Sequence, residues 1–410
     1  MTELYYPLRS LREGHWFKLI CGASFQHLPA IRNLVLAYTL AGADCIDVAA
    51  DPAVVSTAKV ALKVAEEIGA EARERGFGFR SLPWLMVSFN DGEDPHFRKA
   101  EFRAEDCPPD CLRPCEAICP AQAIDISGVI SDRCYGCGRC LPVCPIQQIT
   151  ARSYVSTPAA IAPLVLQSGI DAIEIHTQVG RLEDFRRLWR AIAPWVSHLK
   201  LVAISCPDGD ELIDYLRSLY EIISPLPCPL VWQADGRPMS GDIGIGATRA
   251  AIKLGQKVLA AKLPGYIQLA GGTNQHTVPK LKRLGLLPSS LTSNPQSLHP
   301  SSSPQIAGVA YGSYARTLLI PVLNQLEAIE MEAFSTFSSH QSQGSSFLSS
   351  PNTGRTTLSG LTQGTQNKSQ PPRLEEVPLL LWRAVELADS LISQLKSTST
   401  NARPASEFPQ

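Results

Sequence analysis

Eight of the chain's twelve cysteines fall between Cys107 and Cys144. They form two runs of four. The second reads Cys134-Tyr-Gly-Cys137-Gly-Arg-Cys140-Leu-Pro-Val-Cys144-Pro145. That is C-x2-C-x2-C-x3-C-P, the spacing of a bacterial [4Fe–4S] ferredoxin motif. The first run is Cys107, Cys111, Cys115 and Cys119, with Pro120 behind it. The stretch between them, Ala121 to Ile130, is short enough for one hairpin. A segment so dense in thiols must organise around metal or disulfides.

In two-cluster ferredoxins the fourth Cys of each run ligates the other cluster. On that rule one cubane takes Cys134, Cys137, Cys140 and Cys119, and the other takes Cys107, Cys111, Cys115 and Cys144. An internal repeat supports a pseudo-twofold pair: Cys119-Pro-Ala-Gln-Ala-Ile124 matches Cys144-Pro-Ile-Gln-Gln-Ile149. The first run departs from the motif, with x3 and x3 spacings in place of x2 and x2. Two [4Fe–4S] clusters are the expectation. One cubane with a different second metal, or structural zinc, stands beside it; zinc prefers two paired C-x2-C sets. The radical-SAM spacing C-x3-C-x2-C is absent. Disulfides fit poorly, because the N-terminal residues carry no signal-peptide pattern and no apolar run of about 18 residues spans a bilayer. A reducing, cytoplasmic compartment is expected.

Outside this block, strand and helix signals alternate. Eight apolar strand candidates occur: 17–23, 45–49, 84–87, 172–176, 200–204, 230–233, 266–270 and 306–310. Helical patterns follow most of them: 29–41, 52–68, 157–169, 182–196, 210–223, 247–262, 278–284 and 314–329. A turn sequence recurs, Ala41-Gly-Ala-Asp-Cys-Ile-Asp-Val48 against Ser168-Gly-Ile-Asp-Ala-Ile-Glu-Ile175. Repeated βα units with eight strands predict an α/β (β/α)8 barrel. The cysteine block then follows strand three and sits on the C-terminal face, where barrel active sites lie.

The expected division is residues 1–90 as the first part of the barrel, 91–155 as the two-cluster insertion, and 156–332 as the second part, with a Ser/Pro-rich loop at 287–304. Residues 333–374 are Ser-, Thr- and Gln-rich and read as a disordered linker. Residues 375–397 carry Leu381, Val385, Ala388, Ile392 and Leu395 at helical spacing, and 398–410 form a tail. The helix either docks on the barrel or binds a partner. Net charge is −1 over 410 residues, which gives no electrostatic case for nucleic acid.

Strand alternation places Asp47, Cys45, Ala49, Glu174, His176, Gln233 and Gln268 in the lumen, with Lys18. An Asp, a Glu and a Lys together imply a polar ligand site or an internal ion-pair layer. His27 and Asp235, at strand ends, are either ligand contacts or ordinary capping residues. Gly271, Gly272, Gly312 and Ser313 follow strands seven and eight, where barrels often hold phosphate; Gly244, Gly246 and Thr248 lie after strand six. These glycines serve either a phosphate-bearing ligand, such as a flavin, or plain turns. Cys21, Cys45, Cys206 and Cys228 read as small buried hydrophobes.

The opening, from Leu4-Tyr-Tyr-Pro through Lys18-Leu-Ile-Cys-Gly-Ala-Ser24, together with Ala43-Asp-Cys-Ile-Asp-Val-Ala-Ala-Asp-Pro52 and both cysteine runs, resembles the cyanobacterial light-dependent period family, to about Glu330. The resemblance implies an iron–sulfur protein of the circadian input pathway. Its relatives look like sensors of cellular redox state, which follows light through photosynthetic electron flow, and are associated with clock-input kinases and clock components. Only the eight cluster cysteines carry over.

Three functions compete. A redox sensor would exchange electrons with a quinone pool or a soluble carrier and signal to clock-input proteins; it is favoured over a characterised enzyme. An oxidoreductase would pass electrons from the clusters to a flavin or other phosphate-bearing ligand at the barrel mouth. A scaffold would keep the clusters as structure only.

Overall fold

The computed structural model describes residues 6–21, 28–92, 98–119, 123–130, 134, 138–153, 162–163, 165–237, 246–287, 305–343 and 372–396. Eight parallel strands close into a barrel. They are β1 (Trp16–Ile20), β2 (Cys45–Ala49), β3 (Trp84–Asn90), β8 (Ala172–His176), β9 (Leu201–Pro207), β10 (Leu230–Asp235), β11 (Tyr266–Ala270) and β12 (Gly308–Tyr311). Each expected strand is present, with ends shifted by up to three residues. The chain is therefore a (β/α)8 barrel with the cysteine-rich segment inserted after its third strand.

Alternation along each strand sorts the side chains. Outward residues such as Leu19, Val48, Ile173, Ile175 and Val309 join the helices in one continuous core. The floor of the lumen is a separate apolar cluster that includes Trp16, Cys45, Trp84, Met86, Ala172 and Val231. The helix Tyr6–Glu13, unforeseen from the sequence, caps this floor with Leu8 and Leu11. The Trp16 and Trp84 rings meet edge to face at 5.7 Å, a favoured aromatic geometry.

The recurring turn has a physical reason. Asp44 Oδ2 accepts from Phe17 N at 2.8 Å, and Asp171 Oδ2 accepts from Leu85 N at 3.0 Å. Each Asp satisfies a backbone donor of the neighbouring strand at the barrel's lower rim. Each also pairs with a lysine at 2.6 Å, Asp44 with Lys396 and Asp171 with Lys200.

Two helix ends differ most from expectation. The helix after β2 runs Pro52–Glu74, straight through Gly69. A Cβ on Gly69 would lie 2.1 Å from the Phe79 ring, so this glycine permits close packing and does not end the helix. The last barrel helix runs Ser313–Gln343 through Pro321, beyond the expected end at 329 and into the predicted linker. The expected helix 157–169 lies partly outside the described residues, with helical turns described at 162–163 and 165–166, and the loop 288–304 and residues 344–371 and 397–410 lie wholly outside them.

The helix Pro378–Lys396 packs onto the barrel. Leu381, Val385, Ala388, Ile392 and Leu395 are all buried. Trp382 stacks on Phe77 at 5.8 Å, with the Arg75 guanidinium 4.4 Å from its ring. Arg32 grips Glu375 through two hydrogen bonds. No helix among the described residues is long and apolar enough to cross a membrane.

Candidate iron–sulfur module and barrel mouth

The insertion leaves the C-terminal end of β3 and returns before β8. Its stem is a two-stranded antiparallel sheet, β4 (Arg98–Glu101) against β7 (Thr150–Ser153). Between the cysteine runs lies the expected hairpin, β5 (Ile124–Asp125) and β6 (Gly128–Val129). Within the module, Cys115, Cys134 and Cys140 are buried with Ala100, Ala123 and Ile149, and Cys119 and Cys144 pack against them.

One cavity is lined by Cys107, Cys111, Cys115 and Cys144, with Phe102 and Ile149 among its walls. Three thiols of the first run and the last thiol of the second therefore share one site. Four cysteine thiols around one cavity match the four-cysteine donor set of an iron–sulfur cluster. The donor set thus fits a cubane.

The other predicted set is partly visible. Cys119 Sγ accepts from Ala123 N at 3.2 Å, and Cys134 Sγ from Ala100 N at 3.4 Å. Such N–H···S bonds stabilise thiolates and tune cluster potential. Cys137 lies outside the described residues. Burial raises Cys144, but the backbone N–H groups of Gln148, Ile149, Ile146 and Gln147 outweigh it and pull the thiol below its ordinary value. Burial raises Cys115. The cysteines outside the runs sit elsewhere: Cys21, Cys45 and Cys206 are buried and Cys228 is half-buried. Burial pushes Cys21 up to about 12, which leaves it an inert thiol.

The barrel lumen carries the second cluster of polar groups. Lys18 forms a fully buried ion pair with Glu174, and its Nζ lies 3.6 Å from Asp47 Oδ2. Ser88 Oγ donates to Asp47 Oδ1 at 2.6 Å. Glu174 Oε1 accepts from Gln233 Nε2 at 2.8 Å and lies 3.0 Å from His176 Nε2. Gln268 Nε2 donates to Gln233 Oε1 at 2.5 Å, and Trp16 Nε1 to Gln268 Oε1 at 2.6 Å. Every residue expected in the lumen from strand alternation is there, Lys18 included. Burial drives Lys18 down, but Glu174 and Asp47 outweigh it and raise it. Burial also acts on Glu174, yet Lys18 and His176 hold it below the usual carboxylate range. Asp47, where burial outweighs Lys18, rises to about 6.

The glycines after β11 have a packing reason. At Gly271, φ is +65° and a Cβ would lie 1.8 Å from Asp235 Oδ1 and 2.8 Å from Gly236 N. At Gly272, φ is +91° and a Cβ would lie 2.9 Å from Ala247 O. The loop leans on the end of β10, so its glycines are required with or without a ligand. Thr248 clasps the same loop, bonding Gly272 O, Asn274 Oδ1 and Thr277 Oγ1. Gly312 is half-buried, and Ser313 is buried at the start of the last barrel helix. Gly246 caps the helix Ala247–Ala260. Gly244 and His27 lie outside the described residues. Asp235 is a lumen residue, 3% exposed, and accepts from Ser205 Oγ at 3.3 Å. Sequence reasoning missed Asn90 and Ser205, because strands three and five were expected to end at 87 and 204.

Comparison with known proteins adds the family. Residues 107–155 match the model described as the LdpA Fe-S cluster-binding domain, and residues 164–394 match the Light dependent period A C-terminal domain. The protein named Light dependent period A from Synechococcus elongatus is 51% identical over 329 residues, spanning 79% of this chain and 88% of that protein. Among solved structures, a ribulose-1,5-bisphosphate carboxylase/oxygenase from Pyrococcus horikoshii OT3 has a TM-score of 0.32 at 10% identity, covering 81% of this chain and 64% of that one. A fructose-bisphosphate aldolase from Campylobacter jejuni has a TM-score of 0.29 at 9% identity, covering 95% and 90%. At those scores neither bears on function. The matched cysteine-rich module is an iron–sulfur cluster-binding domain, and the chain belongs to the light dependent period A (LdpA) family.

Proposed function

We propose that the chain is a redox-sensing protein with two [4Fe–4S] clusters, and that cluster state sets an input to light-dependent circadian period. Cys134, Cys137, Cys140 and Cys119 hold one cluster. Cys107, Cys111, Cys115 and Cys144 hold the other. The shared cavity of the second set is the observation that carries this reading, since Cys107, Cys111, Cys115 and Cys144 line it together, the grouping that crossed ligation of paired cubanes calls for. The relative's name, Light dependent period A, supports the link to period. A quinone or a soluble carrier exchanges electrons with the clusters, and clock-input proteins in the cytoplasm read the result. In cells carrying Cys134→Ser with Cys137→Ser, the period is expected to stop responding to light intensity. An unchanged response would exclude the clusters as the sensor.

A further inference from the structure

The wider spacing of the first cysteine run has a local cause. Between Cys111 and Cys115 the chain carries one residue more than between Cys137 and Cys140. It absorbs the extra residue at Arg113, which takes the left-handed conformation at φ +51° and ψ +55°. Pro114 then opens the short helix Pro114–Ile118, which carries Cys115 to the cavity. A residue other than glycine is disfavoured in that conformation. The second run uses a glycine at its left-handed position, Gly138 at φ +70°. The first run uses an arginine.

That arginine stands at the cluster cavity. Arg113 lines it together with Cys107, Cys111, Cys115 and Cys144, and is the one cation among the described residues that do so. The turn leaves Leu112 96% exposed and Arg113 half-buried. Arg113 Nη1 donates to Asp125 O at 3.0 Å, a neutral carbonyl of the hairpin between the runs. The Asp125 carboxylate accepts instead from Ser127 N and Ser127 Oγ, at 2.7 and 2.6 Å. The guanidinium is thus anchored through a carbonyl and keeps its charge beside the four thiols.

Charge fixes the consequence. Four thiolates make a cluster site anionic, and reduction adds a further negative charge. A neighbouring cation favours the more negative state, and an arginine stays charged throughout. The other charges flanking the three cysteines are exposed: Asp106, Asp110 and Glu116, with Arg103 paired to Glu105 at 3.1 Å. Water and salt screen such exposed charges more than a half-buried one. The second run has its own half-buried arginine, Arg139, so each run carries a separate cation.

We propose that Arg113 raises the reduction potential of the cluster held by Cys107, Cys111, Cys115 and Cys144. This deepens the two-cluster reading and rests on it. The test is a mediated redox titration of anaerobically purified full-length protein, read by low-temperature electron paramagnetic resonance. Cys111→Ser assigns the cavity cluster as the signal that this variant loses. Arg113→Gln is expected to shift reduction of that cluster about tenfold toward the oxidised form, a midpoint about 59 mV lower for a one-electron couple. The other midpoint and the iron content stay as in the wild type. Arg113→Gly, which also relieves the left-handed backbone, is expected to give the same shift. Arg113→Lys should keep most of the wild-type midpoint, and Leu112→Ala should move neither signal. An unmoved cavity midpoint in Arg113→Gln or Arg113→Gly, or an Arg113→Lys midpoint as low as theirs, would overturn the proposal and leave the two-cluster reading standing. A wild type without two cubane signals would overturn both, so the two failures are told apart.

Discussion

Lys18 and Glu174, 156 residues apart, form an ion pair with both side chains fully buried at the centre of the barrel. The pair ties the first barrel strand to the fourth across the lumen. Asp47 and Gln233 complete it from the second and sixth strands. Removing the cation would strand two buried carboxylates. Lys18→Met is expected to cost about 3–5 kcal/mol in denaturant unfolding followed by far-ultraviolet circular dichroism. Adding Glu174→Gln should recover part of that loss, because the two changes are coupled.

The same layer sets a pH dependence. Asp47 is held at about 6, above its ordinary 3.8. A carboxyl raised in the fold contributes stability at low pH that is lost as pH rises through its folded value. Lowering pH from 7.5 to 5.5 should therefore stabilise the wild type by about 1 kcal/mol relative to Asp47→Asn. Paired urea titrations at the two pH values measure the difference. An identical pH response in the variant would contradict the assignment.

Trp382 seats the C-terminal helix against Phe77 and Arg75. Trp382→Ala should cost about 3–5 kcal/mol, whereas Leu379→Ala, at a site 83% exposed, should change little. Thermal unfolding of the two variants checks this. Equal midpoints would mean that the docked helix adds nothing to the barrel's stability.

Gly69→Ala places a methyl against the Phe79 ring. The helix gains propensity of roughly 1 kcal/mol, but overpacking costs about 1–3 kcal/mol, so net destabilisation is expected. A variant more stable than the wild type would show that Phe79 moves aside freely.

The lumen was legible in the sequence because alternation is strict within a closed barrel. Ile173 and Ile175 had to face the helices, so Glu174 and His176 had to face inward. The cysteine spacing was legible because cluster ligation leaves a local pattern. The role of Gly69 was not, since a helical stop and a close contact call for the same residue, and only Phe79 distinguishes them. Gly271 and Gly272 posed the same ambiguity, which Asp235 and Ala247 explain by packing. The helix Tyr6–Glu13 was missed because its burial depends on the floor residues Trp16 and Trp84, distant in sequence. Asn90 was missed because β3 extends three residues past its apolar run, toward the inserted module.

The most direct test of the central claim is iron and acid-labile sulfide analysis of anaerobically purified wild type, Cys111→Ser and Cys134→Ser, read together with low-temperature electron paramagnetic resonance after reduction. About eight irons and eight sulfides per wild-type chain are expected from two cubanes. Each variant should retain about half, losing a different cluster signal. A wild type holding about four irons, or stoichiometric zinc in the Cys107–Cys144 cavity, would contradict the account.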